Sequence, residues 1–144
     1  MWFDPIVVPV SSQQVQVVFC TNFMAMIPEI APGSKSTCGL SNVSNGAPEK
    51  LRPILNQVYL CMLRHNSLKV AILDALDKDI LSIAKNDNHP MQKLVDRLMN
   101  GETIDSSSLN SDVNLLLSSS ISSFLSTEDV AVLGGIAVGK LVKT

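Results

Sequence analysis

The order of apolar and polar positions divides the chain near residue 46. Before it, Ile6 to Val10 and Val15 to Cys20 are apolar, β-branched runs separated by Ser11-Ser12-Gln13-Gln14. Runs of this kind predict two strands or a loose hairpin. Pro5 and Pro9 push the first to an edge, because proline cannot donate to a ladder. Asn22 is placed to cap a short helical turn through Phe23, Met24 and Ile27, ended by Pro28 and Pro32. Gly33 to Ala47 reads as a flexible Gly/Ser/Asn loop.

From Pro48 the period becomes helical. Leu51, Ile54, Leu55, Val58, Met62 and His65 recur at steps of three and four. Leu60 and Leu63 lie off that stripe, so this helix is apolar on much of its circumference and central. A second helix is expected from Asn66 to about Lys85, burying Leu73, Leu76, Ile80, Ile83 and Ala84 and pairing Asp74 with Lys78. After the turn Asn86-Asp87-Asn88-His89, Pro90 opens a third, carrying Met91, Leu94, Val95, Leu98 and Met99, with Gly101 placed to end it. Asp112 begins a fourth, with Val113, Leu116, Leu117, Ile121, Phe124 and Leu125 on one face. Ser126-Thr127-Glu128-Asp129 starts a last helix, or a hairpin across Gly134-Gly135.

The expected fold is therefore mainly α: about four to five helices in a compact, bundle-like domain over residues 47–144. A short amino-terminal β hairpin or extended segment over residues 1–46 belongs to the same domain, and α+β is the alternative.

Composition adds one anomaly. Of the 144 residues 46% are hydrophobic and only 17% charged, against roughly 25% charged in ordinary domains. This excludes disorder of the whole chain, and a net charge of −2 excludes a globally basic nucleic-acid binder. The opening Met1-Trp2-Phe3-Asp4-Pro5 lacks the basic and apolar regions of a secretory leader. The run Val130 to Gly139 is too short to span a bilayer. Cys20, Cys38 and Cys61, odd in number and irregular in spacing, favour free thiols. A cytoplasmic protein with no membrane span is the expectation.

Candidate chemistry is thin. Gly134, Gly139 and Lys140 fit the spacing of a phosphate-binding loop, but Leu141 stands where Ser or Thr must hold Mg²⁺, and too little chain follows for the helix. Cys61 and His65 lie one helical turn apart, yet Cys20, Cys38 and His89 lack ligand-pair spacing. Asp77 and Asp79 project about 200° apart on a helix, so with Asp74 they do not converge. No nucleophile signature occurs. We expect no catalytic, metal or cofactor residues, and no enzyme.

Residues 47–101 hold eight Lys or Arg against six acids. Arg64, Lys69, Lys78, Lys85, Lys93 and Arg97 are thus the candidates for the alternative function, a small helical nucleic-acid-binding or regulatory protein. The stronger signal is the charge-free stretch Val113 to Thr127. Ser118, Ser122 and Ser126 recur every four residues, and Ala131, Gly135 and Gly139 repeat that spacing. Small-residue stripes let helices approach closely, whereas a water-facing side would carry Lys and Glu. These six positions are the expected interface of a self-associating structural or assembly subunit, such as part of a viral or other multi-chain particle. The partner is a homo-oligomer or another protein, and strand edges near the amino end offer a second route of association.

Overall fold

The computed structural model of the chain describes residues 1–102. Their elements run β1 (Trp2–Phe3), α1 (Gln14–Ile30), β2 (Lys35–Gly39), α2 (Arg52–His65), β3 (Val70–Ile72), α3 (Lys78–Lys85) and α4 (Pro90–Met99). Short 3₁₀ turns at Leu40–Ser44 and Glu49–Leu51 lie between β2 and α2. The described residues are mostly helical with some strands, and no helix among them is long and apolar enough to cross a membrane. The three strands form one sheet in the order β1-β2-β3, all parallel, with Phe3 opposite Ser36 and Cys38 opposite Ala71. Parallel neighbours need a crossover between them; α1 supplies it from β1 to β2, and α2 from β2 to β3.

This corrects the expected hairpin. Val15 to Cys20 is the start of a 17-residue helix, not a strand, and Ile6 to Val10 contains no strand. The side chains α1 buries are Val17, Cys20, Thr21, Met24 and Ile27, a helical spacing that outweighs the β propensity of the valines. The Thr21 hydroxyl is satisfied inside the core by donating to the Val18 carbonyl at 2.7 Å. Asn22 is mid-helix rather than a cap, and Gly33 to Ala47 contains β2 and a 3₁₀ turn rather than an open loop.

α2 forms as its pattern requires. Ile54, Leu55, Tyr59, Leu60, Cys61, Met62 and Leu63 are all buried, making it the central helix, packed against α1, α3, α4 and the 3₁₀ turn at Leu40–Ser44. The Tyr59 hydroxyl donates to the Val17 carbonyl at 3.3 Å and so ties α2 to α1.

The expected helix from Asn66 to Lys85 is also corrected: its first half is a turn and β3. α2 ends with Ser67 at φ 71°, its N–H donating to the Arg64 carbonyl at 3.1 Å and the Leu68 N–H to the Leu63 carbonyl at 2.9 Å. That paired closure terminates a helix and turns the chain away. Ser36, buried in β2, then receives the Lys69 N–H at 3.1 Å and holds the new strand beside it. Asp74 precedes α3 and accepts from the Leu76 N–H at 2.8 Å, so the helical pairing with Lys78 does not exist. α3 is capped by Asp77, whose carboxylate accepts from the N–H groups of Asp79 and Ile80. α4 opens at Pro90 as expected. It closes at Gly101 (φ 83°), the N–H groups of Gly101 and Glu102 reaching the carbonyls of Leu98 and Arg97.

Candidate interaction surface

α1 is apolar on two sides. Its inner arc is in the core, yet Val15, Phe19, Met26 and Ile30 remain 60%, 63%, 51% and 56% exposed. At 100° per residue these four, with exposed Asn22, occupy an arc of about 80° on the outward side. Glu29 is the one charged residue in the helix. Phe23 flanks the stripe but turns toward Phe3, ring centroids 6.0 Å apart in an edge-on contact.

The sheet has an uneven pair of faces. Ser36 and Cys38 are buried, with Phe3 and Ala71 beside them half-buried. The alternate positions include Trp2, Val70 and Ile72, which are 56%, 42% and 64% exposed. Lys35 lies over the Trp2 ring, Nζ 5.4 Å from its centroid, a cation–π contact that partly shields the indole. Parallel sheets ordinarily have both faces covered; among the described residues this one is covered on one.

A polar cleft of about 450 Å³ lies where the ends of α2 and α3 meet α4, lined by Arg64, His65, Asp87, Gln92, Asp96 and Asn100. Asp96 Oδ1 lies 3.0 Å from His65 Nδ1 and accepts from Gln92 Nε2 at 2.8 Å; the same amide donates to the Cys61 carbonyl at 3.1 Å. Arg64 donates to the Ile83 carbonyl at 2.6 Å and to Asp87. The carboxylate beside the imidazole is the pairing a general base uses, but no Ser, Thr, Cys or Lys side chain lines the cleft to serve as its nucleophile. Gln92 Oε1 is sealed and accepts no hydrogen bond among the described residues, so it offers nothing to a molecule in the cleft. These contacts brace α2 against α3 and α4.

The thiols are equally withdrawn. Cys20, Cys38 and Cys61 are free and buried. Burial pushes Cys38 and Cys61 up to about 12 and raises Cys20 and Tyr59 as well. A neutral buried thiol is a poor nucleophile and ligand. Cys61 and His65 share α2, but Cys61 is sealed in the core while His65 reaches Asp96, and no cluster of three metal-ligating side chains occurs among the described residues.

The residues singled out from sequence divide three ways. Ser118, Ser122, Ser126, Ala131, Gly135 and Gly139 lie outside the described residues, as does the phosphate-loop spacing. Of the basic positions, Lys69, Lys78, Lys85 and Lys93 are exposed; Lys78 and Lys85 share a face of α3, and Lys93 and Arg97 are one turn apart on α4. Arg64 is engaged by Asp87 and Arg97 by Glu102 at 2.8 Å, which lessens the positive surface they offer. The outward α1 face is absent from the sequence reading, although Val17, Cys20, Met24 and Ile27 carry the helical spacing of the buried arc behind it. A scan against protein-family models finds no match to this chain, and searches of curated proteins and of solved structures find none either.

Proposed function

We propose that the chain is a non-enzymatic, self-associating structural or assembly subunit, a component of a larger multi-chain particle. The observation that supports this is the outward face of α1: four large apolar side chains, each more than half exposed, on a helix with one charge. A helix made to face water carries Lys, Glu and Gln there, and contiguous exposed apolar surface marks an association site. The uncovered side of the sheet adds to the surface available for assembly.

Light scattering on the whole chain from about 1 to about 100 µM tests the reading, because an association driven by mass action responds to concentration. The mass is expected to rise across that range, and Phe19→Lys to hold it at the monomer value with an unchanged circular dichroism spectrum. A monomer at every concentration refutes the proposal.

A further inference from the structure

Resting on that reading, we infer that α1 pairs with the α1 of a second copy, antiparallel, about a two-fold axis passing between Asn22 and Phe23. The stripe is Val15, Phe19, Asn22, Met26 and Ile30. Its apolar members are symmetric under reversal: Val15 stands as far before the midpoint of residues 22 and 23 as Ile30 stands after it, and Phe19 matches Met26 in the same way. With the axis there, residue i contacts j and j contacts i, as in any two-fold interface, and each apolar position of the stripe meets an apolar position of the other copy.

The pairing has consistent chemistry along its length. Val15 of each copy meets Ile30 of the other. Phe19 meets Met26, and a thioether against an aromatic ring is a favourable contact. Phe23, drawn aside to Phe3, leaves Asn22 nearest the axis, where two carboxamides can each donate and accept. A single polar pair in an apolar helix seam fixes its register and orientation. Glu29, the one charge, lies about 20 Å along the axis from Glu29 of the other copy, so like charges are not opposed.

The contact is small. At roughly 100 Å² of exposed surface apiece the four side chains offer about 400 Å² per copy. That is half of the ~800 Å² each partner gives in a standard interface. An interface this small is a weak or transient one, so the pair is expected to form only at high protein concentration.

Engineered cysteines on the whole chain test the geometry. Helices packed about 8–10 Å apart bring facing Cα atoms near the ~4.4–6.8 Å a disulfide spans. Under mild oxidation at about 100 µM, Asn22→Cys is expected to form a covalent dimer. Val15→Cys alone is not, its two copies being about 22 Å apart along the axis. Val15→Cys mixed with Ile30→Cys is expected to give the mixed dimer, and the unsubstituted chain, whose own thiols are buried, supplies the background. Concentration-dependent mass without an Asn22→Cys dimer, or with a Val15→Cys dimer instead, overturns the antiparallel pairing alone. A monomer throughout, with no cross-link from any variant, overturns both this inference and the reading beneath it. That second outcome, combined with protection of the thiol introduced by Asn22→Cys from thiol reagents, assigns the face to residues 103–144 of the same chain.

Discussion

Replacing Gln92 by glutamate is the sharpest test of the polar brace between α2 and α4. Gln92 is 5% exposed, and its amide donates to the Cys61 carbonyl and to Asp96 Oδ1. In Gln92→Glu both donors vanish, and a carboxylate oxygen faces Asp96 at about 3 Å. At an effective dielectric of about 20 the repulsion between two unit charges at that distance is about 5 kcal/mol. Asp96, whose side chain is 38% exposed, recovers part of this by turning to water. The expected loss is about 3 kcal/mol near pH 8, within the range for uncompensated buried charge. The pH dependence follows from the same geometry. An unfolded Glu titrates near 4.3, while burial and Asp96 raise the introduced carboxyl in the folded variant. Between those values the native state binds more protons than the unfolded state. The variant therefore loses stability as pH rises through the window and regains it on acidification, when the introduced carboxyl is protonated and can donate to Asp96. Urea unfolding of both chains at about pH 5 and about pH 8 measures the difference. Gln92→Met removes donors and orphan acceptor together, and its smaller cost should not vary with pH. A penalty for Gln92→Glu that is equal at both pH values, or below about 1 kcal/mol near pH 8, refutes the placement of residue 92 beside Asp96.

Other positions give independent checks. Met24 is fully buried, and Met24→Ala should cost about 2–5 kcal/mol by urea unfolding. Ser67 holds a left-handed backbone at the end of α2, so Ser67→Gly should stabilise by about 1 kcal/mol; Gly101→Ala, at φ 83°, should destabilise by a similar amount. His89 Nδ1 accepts the Met91 N–H and caps α4. Its pKa is lowered by burial and then by Arg64. The native state thus binds fewer protons, and this stabilisation is present above about pH 6.5 and lost as pH falls through the lowered value. Thermal melts of His89→Asn, which keeps a capping acceptor, should show a smaller loss of Tm on acidification than the parent chain.

The elements of the described chain differ in how well the sequence foretells them, and the reason is physical. α2 and α4 are legible because their apolar spacing, the prolines near their starts and the closing Gly101 of α4 agree with burial in the folded chain. β3 is not, because Leu73, Leu76, Ile80, Ile83 and Ala84 carry a helical spacing that runs on from Asn66, whereas in the fold Val70–Ile72 is a strand and Leu76 is 88% exposed rather than buried. What decides against it is the left-handed Ser67, a conformation unusual for a residue with a Cβ, and the buried Ser36 bonded across to Lys69 and Ser67. Those partners are 31 and 33 residues away in sequence, and no local pattern reveals them.

α1 shows how one choice of period can hide a functional face. Read as a strand, Val15, Val17 and Phe19 fall on one side and Val18 and Cys20 on the other, so no outward apolar surface is apparent. Read as a helix, Val17 swings about 200° from Val15 and enters the core with Cys20, while Phe19 stays within about 40° of Val15 and remains in water. The shortage of charge in the composition points to some covered surface, and the carboxy-terminal serine stripe stands out because its spacing is already helical. The amino-terminal segment is equally poor in charge, with Asp4 and Glu29 the only charged residues before Lys35. Folding it as a helix gathers that poverty into a single stripe with a two-fold pattern, which a hairpin would divide between two strands.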